Sequence, residues 1–204
     1  MRFVYGKQEM RSLSRSQESC FLLTNGLGGY ASLTAAYSAN RCDQGILIAA
    51  QKAPGERVTL VHRLRETLTV DGKPYWLSTQ QFADGTPPED GFRNLSFFAF
   101  ENIPHWRYHI GGVRVPRTMA MTYGQNTTAV IYKVENQSND ACSLTVDPFV
   151  KFGPKETAIK TAPNISFSQG KVMGDKYTLH ISTTAALHEM PVCSQTLAYP
   201  EDSK

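Results

Sequence analysis

Apolar and polar residues alternate over short stretches along most of the chain. The stretches are rich in Val, Ile, Thr, Tyr and Phe and are closed by clusters of Gly, Asn, Asp or Pro. A period of two turns successive side chains to opposite faces, so the pattern predicts half-buried β-strands. Arg65 to Val70, Asp71-Gly72 and Lys73 to Ser78 read as a hairpin, because Asp-Gly supplies the positive φ angles of a two-residue turn. Trp106 to Ile110, Gly111-Gly112 and Val113 to Met121 read as a second. Pro116 there predicts an edge strand or a bulge, since proline brings no N–H to a ladder. Thr128 to Glu135, the polar turn Asn136 to Asp140, and Ala141 to Val150 give a third hairpin, and three in series predict a meander. Shorter strands are predicted at Ile165 to Ser168, Val172-Met173 and Tyr177 to Ser182. The one helical piece that composition places is a short turn within Gly29 to Tyr37. Gln80 to Gly91 reads as a polar Pro/Gly loop without strands, and Tyr199 to Lys204 as a frayed polar end.

Strands with so few helices must cover their apolar faces with one another. The predicted fold is therefore all-β, a large antiparallel β-sandwich of supersandwich type with few short helices, forming one domain over residues 1–204. Of the 204 residues 41% are hydrophobic and 19% charged, against roughly 25% charged in an average chain, which excludes charge-driven disorder. The net charge of +3, from 21 basic and 18 acidic residues with no basic run, gives no reason to expect nucleic acid as a partner. Apolar stretches such as Ile46 to Ala50 fall far short of the ~20 residues of a membrane-spanning helix, so no membrane partner is expected. Met1 to Arg11 has no apolar stretch of the kind a secretory signal needs, which reads as a cytoplasmic protein. Cys20, Cys42, Cys142 and Cys193 form no CxxC pair and read as reduced thiols. The Asn-x-Ser/Thr triplets starting at Asn94, Asn126, Asn136 and Asn164 would matter only in a secreted chain.

Candidate chemistry centres on Asn25-Gly26-Leu27-Gly28-Gly29-Tyr30, where three glycines in four positions let the backbone turn sharply and approach another surface closely. Neither the Lys-Ser/Thr of a phosphate loop nor a full GxGxxG is present. The run is a tight turn or a loop pressed against a ligand or another domain, and no cofactor is expected. Sugar recognition needs aromatic faces and planar amide or guanidinium arms. Tyr30, Trp76, Trp106 and Tyr108 could supply the first, and Asn25, Asn40, Arg41, Gln125 and Asn126 the second. Trp106 also reads as core, and Gln125-Asn126 as a strand end whose amides cap backbone groups. Glycoside hydrolysis needs two carboxyl groups roughly 5 to 10 Å apart. Glu89-Asp90, Glu66 and Asp147 instead read as solvated or turn-forming, so no catalytic residue is assigned. His62, His105, His109, His180 and His188 have neither HxH nor HExxH spacing, so no metal site is expected.

Phe21 to Ser32, with its Thr-Asn-Gly-Leu-Gly-Gly-Tyr-Ala-Ser core, resembles the N-terminal domain of the bacterial and archaeal type of glycogen debranching enzyme. The resemblance continues in order through Asn40-Arg41, Gly45 to Ala50, Asp71-Gly72 and Gly124 to Thr128, over Phe21 to about Val150. It departs from the family at Cys42-Asp43-Gln44, where a Tyr-His pair usually precedes the glycine. The resemblance implies an antiparallel sandwich ahead of an α-helical toroid, the toroid carrying the amylo-α-1,6-glucosidase acid and base. The glycine-rich loop, Gly28 and Gly29 included, would then shape an interdomain face and an α-glucan cleft. By that reading the chain is an inactive accessory domain that binds glycogen or maltooligosaccharide and docks on a helical catalytic domain in cis or in trans. Two other functions fit the same residues: a stand-alone carbohydrate-binding sandwich, and a protein-interaction domain without a sugar site. An accessory domain would expose an apolar patch where the toroid docks, or hide it by self-association into a homo-oligomer.

Overall fold

The computed structural model describes residues 2–52, 55–157, 163–174 and 176–202. In chain order its elements are β1 (Phe3–Gly6), α1 (Leu13–Gln17), β2 (Cys20–Thr24), β3 (Tyr30–Thr34), β4 (Gly45–Lys52), β5 (Glu56–Val70), β6 (Lys73–Trp76), β7 (Thr79–Gln80) and β8 (Glu89–Asp90). After a single 3-10 turn at Gly91–Arg93 come β9 (Leu95–Phe100), β10 (Pro104–Ile110), β11 (Val113–Met121), β12 (Thr128–Tyr132), β13 (Glu135–Asn136), β14 (Cys142–Pro154), β15 (Ser166–Ser168), β16 (Lys171–Met173) and β17 (Thr178–His180). The protein is all-β, and every strand pairing is antiparallel.

Two main sheets form the sandwich, in the orders β1-β9-β10-β11-β12 with β13 also on β11, and β14-β5-β4-β3-β2 with β6 also on β5. A small sheet, β15-β16-β17, and the rung β7-β8 complete the fold. Both predicted two-residue turns form with positive φ throughout, 49° and 72° at Asp71-Gly72 and 53° and 82° at Gly111-Gly112. Their twist matches that of the flanking strands. Alternation decides which faces are buried: in β10 Trp106, Tyr108 and Ile110 point inward while His105, Arg107 and His109 are exposed.

The third hairpin does not form. β12 pairs with β11 in the first sheet, whereas β14 pairs with β5 in the second, from Cys142 opposite Val70 to Pro154 opposite Val58. The polar linker crosses between sheets, because the 15-residue β5 offers a long edge that the five residues of β12 cannot fill. Pro116 lies neither on an edge strand nor in a bulge of β11. Its carbonyl accepts from Lys133 N at the point where the neighbour of β11 changes from β13 to β12, so its missing N–H faces that gap. Residues 30–34 are a strand rather than a helical turn, since Ala31 and Leu33 reach the core with period two. The helix lies at Leu13–Gln17, capped by the Ser12 hydroxyl accepting from Arg15 N, and is too short to leave a periodic signature. The loop over 80–91 carries the two-residue rung β7-β8, also below any pattern signal. The C-terminal residues are tied down as far as Asp202. Leu197 bridges Phe82, Glu201 N donates to Asn40 O, and the Asp202 carboxylate accepts from Cys42 N at 2.9 Å. Residues 203 and 204 lie outside the described set.

Trp106 is the centre of the core, 1% exposed, with its indole N–H donating to Ala35 O at 2.9 Å. Phe21, Tyr37 and Phe98 surround it at ring-centroid distances of 5.4, 5.2 and 5.4 Å. Beside it the two sheets are tied by a charge pair: Glu66 on β5 accepts from Arg117 on β11 and from the Tyr132 hydroxyl on β12. Both charged side chains are fully buried. The guanidinium stacks 3.4 Å from the Tyr37 ring centroid and 4.2 Å from that of Trp106. Burial works against the Arg117 charge, but the Glu66 carboxylate and the surrounding phenols outweigh it and push its pKa up.

Candidate functional site

The glycine-rich run leaves β2, turns, and re-enters as β3. Asn25, fully buried, holds the turn with both ends of its amide. Its Oδ1 accepts from Leu27 N and Gly29 N at 3.0 and 2.9 Å, and its Nδ2 donates to Gln125 O and Asn126 Oδ1 at 3.0 and 2.9 Å. Asn126 in turn imitates a strand partner for Ala50, accepting from its N–H at 3.0 Å and donating to its carbonyl at 2.8 Å. Three segments distant in sequence are thereby joined at one rim of the sandwich. Gly29 allows a close approach of backbone and amides: a Cβ there would lie 2.6 Å from Asn25 Nδ2 and 3.0 Å from Ile48 O. Gly29→Ala is therefore expected to loosen the rim and cost on the order of 1 kcal/mol, read as a lowered urea midpoint with unchanged slope. A midpoint equal to wild type would show that the rim yields freely.

Tyr30 extends the knot toward the second motif. Gly28 O accepts from Arg57 Nε at 2.6 Å, the Arg57 guanidinium lies 5.9 Å from the Tyr30 ring centroid, and the Tyr30 hydroxyl donates to Asp43 O at 2.7 Å. Burial, then the Asp43 carboxylate, pushes the Tyr30 phenol up to about 12, against the pull of Arg57. The loop after Asn40 is held by Gln44, whose Oε1 accepts from Asn40 N and Arg41 N at 2.8 and 3.3 Å. Asn40 is buried and donates to Gln17 O, while the Arg41 side chain is exposed.

Of the residues singled out from sequence, Asn25, Gly28, Gly29, Gln125 and Asn126 thus meet in one knot, and Tyr30 links it to the loop of Asn40 and Arg41. Trp106 is apart from them, enclosed in the core, and has no face to offer a sugar at the surface. Asp43 and exposed Leu27, named in the motifs without a role of their own, join the rim, as do Arg57 and Tyr123, which sequence reasoning passed over; the Tyr123 ring lies over Gly26 yet is 86% exposed. Tyr123 directly precedes Gly124-Gln125-Asn126, which was the available signal.

Of the carboxylates expected to be solvated or turn-forming, Asp90 is half-exposed in a surface pair with Arg93 and Asp147 is partly exposed, whereas Glu66 and Glu89 are buried. Glu66 is paired as described. Glu89 is buried and bound at both oxygens by Arg63, at 2.6 and 2.9 Å, with the Ser78 hydroxyl donating to it at 2.6 Å. Asp147, inside β14, pairs with Arg65 at 2.8 Å. A polar loop around Glu89 and basic neighbours around Glu66 suggested solvent, and arginine partners on other segments drew both side chains in. The four cysteines are free thiols. Among the described residues no group of three or more His, Cys, Asp or Glu could hold a metal ion, and no helix is long and apolar enough to cross a membrane.

A family model described as glycogen debranching enzyme N terminal matches residues 20–204. The chain belongs to that family. No curated protein and no solved structure gives a significant match. For this glycogen debranching enzyme N-terminal chain the match runs past Val150, where the quoted motifs end, into a region whose strands β15 to β17 are three residues each and leave little pattern.

Proposed function

We propose that the chain is a non-catalytic N-terminal accessory domain of a cytoplasmic glycogen-debranching-type enzyme, supporting α-glucan binding and docking on a helical toroid catalytic domain in cis or in trans. The observation that carries the reading is the knot of Asn25, Gly29 and Asn126. It rigidifies a rim on which Leu27 and the Tyr123 ring, lying over Gly26, are exposed. An exposed ring on a fixed backbone suits stacking on a sugar face, and a fixed apolar loop suits a domain interface. The carboxylates Glu66, Glu89 and Asp147 are each bound to an arginine, which leaves none of them placed to work as the paired acid and base of glycoside hydrolysis.

Calorimetry with maltoheptaose is expected to give a dissociation constant between about 1 μM and 1 mM, weakened about tenfold by Tyr123→Ala, which removes an exposed ring. Absence of heat up to high millimolar sugar would refute the glucan half of the proposal and leave docking alone. Release of glucose from a branched limit dextrin by this chain would refute the non-catalytic assignment.

A further inference from the structure

On the outer side of the β5-β14 ladder lies a cleft of about 510 Å³, between that ladder, the β15-β16-β17 sheet and residues 189–199. It shares no lining residue with the rim of Asn25. Its walls are apolar, formed by Phe149, Ile165, Phe167, Val172, Met190 and Leu197. The volume falls in the range of small-molecule pockets, whose usual make-up is an apolar lining with a few convergent polar groups.

Three polar groups in this cleft lack the partners that burial normally demands. The β5-β14 register runs from Phe149 opposite Arg63 to Val150 opposite Val61, so His62 is passed over and bulges. His62 is 4% exposed. Its Nε2 is 3.1 Å from the Tyr199 hydroxyl, and its Nδ1 has no hydrogen-bond partner. The Gln195 Oε1 is likewise buried without a donor. Lys151, 5% exposed, donates to Lys155 O at 3.0 Å, and among the described residues no carboxylate stands in ion-pair contact with it. Asp43 and Asp202 act on it from further off, and burial still pulls its pKa down. The partly exposed arginine of the lining is already neutralised, since Arg65 Nε and Nη2 both contact Asp147 Oδ2, at 2.9 and 2.8 Å. Glu189 is exposed at the mouth.

We propose that this cleft binds a small amphipathic anion, a carboxylate with an apolar body, its head between Lys151 and His62 and its body against Phe149 and Phe167. A buried ammonium without a counter-ion is costly and favours an anionic ligand over a neutral one. A carboxylate also selects one imidazole tautomer: the Tyr199 O–H donates to Nε2, and Nδ1 carries the proton and donates to the ligand. Gln195 Oε1 then accepts from any hydroxyl or N–H on the ligand.

Octanoate and octan-1-ol, which share a chain and differ in head charge, are the probes, with binding read by calorimetry on the whole chain. Octanoate is expected to bind at one equivalent and at least tenfold more tightly than octan-1-ol. Lys151→Met should weaken octanoate at least tenfold and change octan-1-ol less than twofold. Ser194→Trp, at an exposed lining position outside the core, should weaken both by filling the cleft while leaving the unfolding midpoint in place. Equal affinity for acid and alcohol, octanoate binding unaffected by Lys151→Met or by Ser194→Trp, or no octanoate binding at all would each overturn the proposal. Displacement of octanoate by maltoheptaose would overturn it as well, by assigning the cleft to sugar, whereas failure of maltoheptaose to bind anywhere bears only on the rim.

Discussion

Glu66→Gln is expected to lower the unfolding free energy by about 3–5 kcal/mol, the usual cost of removing one member of a buried ion pair. The substitution keeps the shape of the side chain and an acceptor for Tyr132, and removes the charge that Arg117 faces. The guanidinium cannot deprotonate to relieve itself, and its Nε and Nη2 have no oxygen acceptor, lying among the rings of Tyr37, Trp106 and Tyr108. Those rings attract the cation through their faces but replace a carboxylate poorly, since each such contact contributes only about 0.5–2 kcal/mol. Denaturant titration supplies the measurement. The double substitution Glu66→Leu with Arg117→Met should recover a large part of the loss, because an apolar pair of similar volume removes both desolvation costs. A loss below 1 kcal/mol for Glu66→Gln alone would show that water reaches Arg117 and that the tie between sheets is not dry.

Acidification from pH 7 to pH 5 is expected to cost the fold about 2 kcal/mol through His62 alone. Burial first, and then the charges of Lys151 and Arg63, lower the His62 pKa to about 3, from about 6.5 in an unfolded chain. Between those values the unfolded state binds the extra proton and the folded state does not. Stability is therefore complete above the unfolded pKa and falls as pH drops toward the folded one. Tyr199 faces the ring from the C-terminal segment and carries no charge in this range. The checking measurement is the difference in pH dependence between wild type and His62→Gln, which cancels the titration of all other groups. Parallel curves for the two proteins would mean that His62 is reached by solvent.

Much of this architecture is legible in the residues. Asp71-Gly72 and Gly111-Gly112 name their turns outright, because few other residues take left-handed angles twice in succession, and the alternation of β10 states which side of Trp106 meets the core. The rim is legible in part: Asn25, Gly29 and Asn126 stand out, but their mutual contact spans about a hundred positions and only the fold brings them together. The buried charges were hidden for a physical reason. An acidic residue in a polar loop or among basic neighbours reads as facing water, and nothing local reveals that Glu66 has its partner 51 residues away, or Glu89 its own 26 residues away, on other segments. Strand pairing between sheets is hidden for the same reason: Thr128 to Val150 looks like a local hairpin until β5 is present to compete for its second half. His62 carries no signal at all, since a bulge rather than the strand period turns it into the cleft.

The long β5-β14 ladder also bears on synthesis. As the nascent chain leaves the ribosome, β5 is finished at Val70, whereas the strand that covers one of its edges begins only at Cys142. For that interval the edge presents open N–H and C=O groups, and pairings of such long sequence separation are slow to close. During translation this edge is open to chaperones or to neighbouring nascent chains.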